Sequence, residues 1–127
     1  MQRAFFHSRW LSFRYAFFGI IYVFRTQKNA WIHAFATLSV VALGFWLRIS
    51  PTSWAILIIT IATVWSAECF NTAIEAAVDL ISPQRHPLAK VAKDASAAGV
   101  LFIAIGSVGV GFFLFGPALI TKLMELF

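Results

Sequence analysis

The length of the uncharged runs limits this chain more than any other feature. From Trp31 to Leu47 seventeen residues pass without an Asp, Glu, Lys or Arg, and fourteen more do so from Trp54 to Ala67. A third apolar run extends from Ala95 to Ile120. A helix needs about 20 predominantly apolar residues to cross a hydrocarbon layer about 30 Å thick, so the first run is near the minimum for a span. With 61% hydrophobic and 12% charged residues in 127, the chain is too apolar for an ordinary soluble domain. One small membrane-embedded domain over residues 1–127 is expected. Its fold class is all-α: an N-terminal interfacial amphipathic helix plus three transmembrane helices.

The formal charge of +5 does not point to nucleic acid, because the basic residues are interleaved with Phe, Trp and Ile. An anionic membrane surface suits that pattern better, and no nucleic-acid partner is expected. Residues 1–30 carry Arg3, Arg9, Arg14, Arg25 and Lys28 without any acid, which fits an interfacial helix. The apolar stretch Tyr15–Phe24 resembles a signal-peptide core, but RTQKNA follows it with no small-x-small cleavage site. Spans are expected over 31–49, 53–81 and 95–121, with a polar connector over 82–94. His33, near the start of the first, reads as an interfacial histidine, since no second His or Cys lies at ligand spacing. Cys69 is the single cysteine and reads as a packing residue. The glycines of GSVGVG lack a preceding strand and suit close helix approach better than a phosphate loop.

Eight of the ten Lys and Arg lie before residue 31 or within the 82–94 connector. By the positive-inside rule both segments are cytoplasmic, and three spans then put the C-terminus outside.

Against this apolar background stands the stretch Ala67–Ile81, AECFNTAIEAAVDLI. Glu68, Asn71, Glu75 and Asp79 fall at about 0°, 300°, 340° and 20° around a helix, so three of the chain's five carboxylates share one narrow face. The segment Ser53–Ile81 has 29 residues, about 43 Å of helix. Its acidic end should therefore emerge into the headgroup region rather than lie stranded in lipid. Such a stripe either pairs with cations to fix helix packing or does chemistry. Carboxylates at this density suit Mg²⁺, which binds through one or two of them plus substrate phosphates. Lys93, expected beside a helix N-terminus, suits a phosphate. Together these suggest phosphoryl transfer.

The order of residues favours chemistry. The segment AECFNTAIEAAVDLISPQRHPLAKVAKDASAAGVL, residues 67–101, resembles the signature region of the small prokaryotic diacylglycerol kinase and undecaprenol kinase family. It carries E-x-x-N-[ST]-A-I-E-x-x-x-D followed by H-x-x-x-x-x-x-K-D. SFRYAFFGIIYVFRTQKNAWIH, residues 12–33, resembles the undecaprenol kinase branch.

The resemblance implies an ATP-dependent lipid kinase, a phosphotransferase with an alcohol acceptor, in a bacterial plasma (inner) membrane. It further implies a homotrimer of three-span subunits with shared sites, a diacylglycerol or undecaprenol substrate, and Mg²⁺ with ATP as co-substrate. Glu68 matches the proton acceptor and Asn71 an orienting residue. Glu75 matches a metal-binding glutamate, and Lys93 and Asp94 the nucleotide-binding pair. Gln84, Arg85 and His86 match a nucleotide-contacting loop, and Tyr15 a nucleotide-contacting tyrosine. Asp79 matches a recurrent position, with a structural pairing to Arg85 or Lys90 as the other option.

One position departs from the pattern. Where the family has a second metal-binding glutamate before the first span, this chain has Gln27. An amide oxygen can coordinate but brings no negative charge, so metal attraction weakens. A catalytically weakened or non-catalytic oligomer that binds cations or nucleotide is the alternative this residue raises.

Overall fold

The computed structural model describes residues 2–125, with side chains from Arg9 onward, so Arg3 lies outside the described side chains. Four helices follow one another: α1 (Gln2–Thr26), α2 (Lys28–Leu47), α3 (Pro51–Ile81) and α4 (Pro87–Met124). The last three are each long and apolar enough to cross a membrane. The expected all-α arrangement of a first helix and three long apolar helices is the one observed.

Local chemistry explains each boundary. Gln27 is extended (φ −107°, ψ 115°); its N–H closes α1 on the Val23 carbonyl and its own carbonyl accepts from Ala30, opening α2. The first helix therefore stops at Thr26, short of the expected residue 30. At the far end of α2, Arg48 adopts the left-handed conformation (φ 52°, ψ 48°). Its N–H bonds to the Phe45 carbonyl and that of Ile49 to the Gly44 carbonyl, which is a Schellman ending. Ser50 caps α3 by accepting from the Ser53 N–H at 3.1 Å, with Pro51 at the first helical position.

The connector is where expectation and structure part most. Only residues 82–86 leave the helical conformation, and α4 already begins at Pro87. Pro87 fits the first turn because its missing N–H is an orphan there anyway, and His86 Nδ1 accepts from the Leu88 N–H at 3.2 Å. Lys90, Lys93 and Asp94 are consequently helical, and Lys93 sits in the second turn of α4 rather than at its N-terminus.

Helices α3 and α4 form the most extensive pairing. Around it a small core gathers Leu47, Leu57 and Phe115, with Trp54 and Leu43 packed against it. The end of α1 is tied in by Val23, which is 4% exposed, and by Phe24, whose ring lies 5.3 Å from Trp31 and 5.2 Å from Trp65. Most large apolar side chains of α2, α3 and α4 face outward, as helices in lipid or among other apolar helices do. Gly99, Gly106, Gly109 and Gly116 meet no atom within 4 Å of an added Cβ, so inside the chain they do not serve close helix approach.

Candidate active site

Burial falls steadily along the stripe on α3. Glu68 is 1% exposed and Asn71 7%; Glu75 is half-buried, and the Asp79 side chain is 65% exposed. One helix face thus runs from the protein interior to solvent in about three turns.

The inner half forms a polar cluster across three segments. Gln27 Nε2 donates to Glu75 Oε2 at 2.8 Å, and Asn71 Nδ2 donates to Glu75 Oε1 at 3.0 Å. Both carboxylate oxygens of Glu75 are therefore held by neutral amides. Asn71 Oδ1 accepts from Ser96 Oγ at 2.7 Å, and Ser96 also contacts the Lys93 carbonyl at 2.9 Å. The chain of contacts Gln27–Glu75–Asn71–Ser96 joins the α1–α2 break to α3 and α4. It borders a cavity of about 260 Å³ that Glu68 and His33 also line.

Glu68 is different from Glu75. Its backbone carbonyl accepts from Thr72 Oγ1 at 2.8 Å, yet neither carboxylate oxygen has a hydrogen-bond partner, and both are shut off from solvent. A buried carboxylate without partners is costly, and a protein that retains one leaves its acceptor capacity for something else.

The outer half forms a second site. Asp79, Gln84, Arg85, His86, Lys93 and Asp94 border an open groove of about 610 Å³ at the mouth of the α3–α4 pair. Lys93 Nζ lies 2.5 Å from Asp79 Oδ1, and Lys90 pairs with Asp94 one turn along α4. The expected partners of Asp79, Arg85 or Lys90, are thus replaced by Lys93. Two lysines and the guanidinium stand against two carboxylates here, so the groove carries one net positive charge and both lysines are already paired with aspartates.

A profile of the family described as prokaryotic diacylglycerol kinase matches residues 14–115. The chain belongs to the prokaryotic diacylglycerol kinase family. It is 43% identical over 108 residues to the undecaprenol kinase of Bacillus subtilis, covering 85% of this chain and 88% of that one. It is 40% identical over 115 residues to the diacylglycerol kinase of a Synechocystis species, covering 90% of this chain and 66% of the other. It is 35% identical over 94 residues to the diacylglycerol kinase of Escherichia coli K12, covering 68% and 77% respectively. Membership makes this diacylglycerol-kinase-family chain a phosphotransferase with an alcohol acceptor.

Within that family frame the structure brings together most of the residues singled out from the motif. Gln27, Glu68, Asn71 and Glu75 share the inner cavity, and Asp79, Gln84, Arg85, His86, Lys93 and Asp94 the outer groove. Tyr15 stays apart: it is 66% exposed on α1 and borders neither. Two residues escaped sequence reasoning. Ser96 was hidden among the small residues opening α4; its only signal is a hydroxyl three residues after Lys93. His33 is turned toward Glu68, with its side chain 14% exposed, a contact that its reading as an interfacial histidine did not include. The signal for it was its position one and a half turns into α2, which no motif marks.

Among the described residues no three of His, Cys, Asp and Glu come together as a metal cage. A divalent cation that arrives with nucleotide phosphates needs only one or two protein oxygens, and Glu75 with Gln27 supplies such a pair from two segments. The pair fits when the Gln27 amide turns its oxygen toward Glu75, which gives up the hydrogen bond from Nε2 and is offset only by the cation held between the two oxygens.

Proposed function

We propose that this chain transfers the γ-phosphate of Mg·ATP to the hydroxyl of a membrane lipid alcohol, with undecaprenol as first candidate and diacylglycerol as second. The observation that carries the reading is Glu68: a buried carboxylate with two unused oxygens, bordering the same cavity as Glu75 and about two turns from it. General-base work requires a carboxylate whose oxygens are not already taken by other donors, and the packing over both Glu68 oxygens has to open to admit the hydroxyl. Precedence for undecaprenol follows the resemblance of residues 12–33 and the 43% identity to a protein of that name.

In the proposed reaction the lipid hydroxyl gives its proton to Glu68 as its oxygen bonds to the γ-phosphorus. The bond from that phosphorus to the β-bridging oxygen breaks, and ADP leaves. Ser96 holds Asn71, and Asn71 in turn holds Glu75 Oε1. Glu75 and Gln27 would hold Mg²⁺, whose charge, when bound, offsets that on the transferring phosphates. Lys93 turns from Asp79 to the phosphates, while Arg85, His86, Gln84 and Asp94 border the nucleotide, and Tyr15 closes on it from α1. The N-terminus and the 82–86 connector lie on the cytoplasmic side of a bacterial inner membrane, and the C-terminus lies outside. The working unit is a homotrimer with shared sites.

The test is transfer of label from γ-labelled ATP to undecaprenol and to diacylglycerol in mixed micelles. Glu68→Gln keeps the shape and removes the base, so transfer is expected to fall by about 10²- to 10⁴-fold. Transfer unaltered by this change would remove Glu68 from the base role, and no transfer by the unmodified protein to either alcohol would end the proposal.

A further inference from the structure

Among the described residues bordering the inner cavity, His33 alone can carry a positive charge. It projects from the second turn of α2, and its Nε2 stands 3.7 Å from Glu68 Oε2, with the two side chains 14% and 1% exposed. That is ion-pair distance, and it is longer than a hydrogen bond, which closes near 2.9 Å. Nε2 and both Glu68 oxygens are sealed from solvent, and none of the three has a hydrogen-bond partner. Whatever balances a charge on Glu68 in this closed arrangement therefore comes from His33.

The surroundings offer no substitute. Arg25 and Lys28, on either side of the α1–α2 break, are exposed and do not border the cavity. From α4 only apolar residues reach it, Val100 and Leu101 among them, while Lys93 and Asp94 belong to the outer groove. From α3 the other titratable group in the cavity is Glu75, seven residues and about 10 Å further along the axis, with its oxygens held by Gln27 and Asn71. Cys69 adjoins Glu68 in the chain but lines a different groove, with Trp65 and Phe70. The Trp65 ring, 6.4 Å from the imidazole, carries no charge.

A carboxylate buried without a donor or a cation gives up its charge by taking a proton. Glu68 in that form could not accept one from a hydroxyl. Counting protons on the pair separates the cases. With none, a buried anion faces a neutral ring; with two, a buried cation faces a neutral acid. With one the pair is neutral as a whole, and Glu68 is a base only when that proton sits on His33. We infer that His33 is the positioning residue that keeps Glu68 ionised, standing opposite it as an imidazolium until the acceptor hydroxyl arrives. This rests on the lipid-kinase reading and deepens it by naming the partner of its base. Once the packing over Glu68 opens, the hydroxyl proton moves to Glu68, the hydroxyl oxygen bonds to the γ-phosphorus, and the bond to departing ADP breaks. His33 keeps both ring protons through that step. Glu68 gives its proton to water after the product leaves, and the pair closes again.

The experiment compares unmodified protein with His33→Phe, which keeps the ring volume, and His33→Gln, which keeps a polar side chain. Ring-nitrogen NMR of histidine-labelled protein in micelles reads His33 directly: at neutral pH both nitrogens should carry protons. Infrared spectra, differenced against Glu68→Gln, should show Glu68 as a carboxylate in the unmodified protein and as a carboxylic acid in both His33 variants. Transfer to the lipid alcohol at neutral pH should fall by roughly 10- to 100-fold in both variants, the order by which one opposite charge this close changes carboxyl ionisation. It should recover toward the unmodified rate as the pH is raised by about one to two units, with the ATP KM within about twofold throughout. A neutral His33 ring in the unmodified protein would overturn the inference. So would a loss of transfer that is the same at every pH, which would make His33 a packing residue. If neither variant folds, the nitrogen spectrum of the unmodified protein decides alone. An unmodified protein that shows the imidazolium yet transfers phosphate to neither alcohol would end the kinase reading and leave the ion pair standing.

Discussion

At the scale of single residues the charge balance of the inner cavity turns on Gln27. Its amide donates to Glu75 Oε2, so the position contributes a neutral partner where a second carboxylate would add a full charge beside any divalent cation. Gln27→Glu is expected to lower the Mg²⁺ concentration for half-maximal transfer by about tenfold or more. A Mg²⁺ titration checks it, and an unaltered requirement would separate Gln27 from the metal. Asp79 offers the opposite case. It holds Lys93 at 2.5 Å with both groups substantially exposed, and exposed pairs are worth about 0–1 kcal/mol. In the proposed reaction phosphate has to draw the lysine away from it, so Asp79→Asn should lower the ATP KM by up to about fivefold and leave kcat within about twofold. A rise in KM would mean instead that Asp79 aims Lys93 at the nucleotide. The motif made Glu68, Asn71, Glu75 and Lys93 legible, because each has a fixed offset on one helix or shortly after it. Ser96 and His33 were not legible, since each reaches the site from another helix and no periodicity relates those helices to α3. The pairing Lys93–Asp79 was equally hidden: it depends on how far α4 runs back alongside α3.

At the scale of elements, α3 decides how far the chemistry lies from the lipid interior. It has 31 residues, about 46 Å, against a hydrocarbon layer of about 30 Å. The stripe occupies the last turns of this helix, and the length is enough for those turns to lie beyond a hydrocarbon layer. The reading failed at the start of α4, where prolines and cations between residues 82 and 94 suggested a loop. Pro87 is tolerated because it occupies the first helical position, and the sequence signal for a proline that begins a helix resembles that for one that ends it. The opposite end of α2 carries a stability prediction. Gly44 is buried at the Schellman ending, and an added Cβ would lie 3.1 Å from Trp54 and 3.2 Å from Ile49. Gly44→Val should therefore destabilise the fold by about 1–3 kcal/mol through overpacking. Thermal unfolding in detergent reads this as a lower midpoint. Because Gly44 is eleven residues, about 16 Å, along α2 from His33, kcat per folded molecule should stay unchanged. A fall in kcat without loss of stability would refute this separation of scaffold from site.

At the scale of the whole molecule, the chain encloses little of its own apolar surface, and the arrangement of its charges explains why. Cations cluster at the α1–α2 end and around the α3–α4 connection, so polar work is gathered at one end of a bundle whose sides are apolar. That polar end is itself stretched. Asp79 lies eleven residues beyond Glu68, about 16 Å along the axis of α3, and Lys93 is bound to Asp79. Within one chain, the proposed base and the proposed phosphate-binding lysine are thus drawn toward opposite ends of the stripe. A neighbouring copy that lays its own Lys93 near Glu68 would close the distance without unwinding α3, which gives the shared-site reading a physical motive. Mixing subunits tests it. Glu68→Gln and Lys93→Ala chains, each inactive alone, are dissociated, combined in equal amounts and reassembled. If every site takes Glu68 from one chain and Lys93 from another, random mixing gives about a quarter of the sites both intact residues, and transfer should return to about a quarter of the unmodified level. If each chain builds its own site, no mixture restores transfer, because no chain carries both residues. The 16 Å gap would then have to be closed inside the chain by Lys93 leaving Asp79, and Asp79→Asn would become the variant with the larger effect.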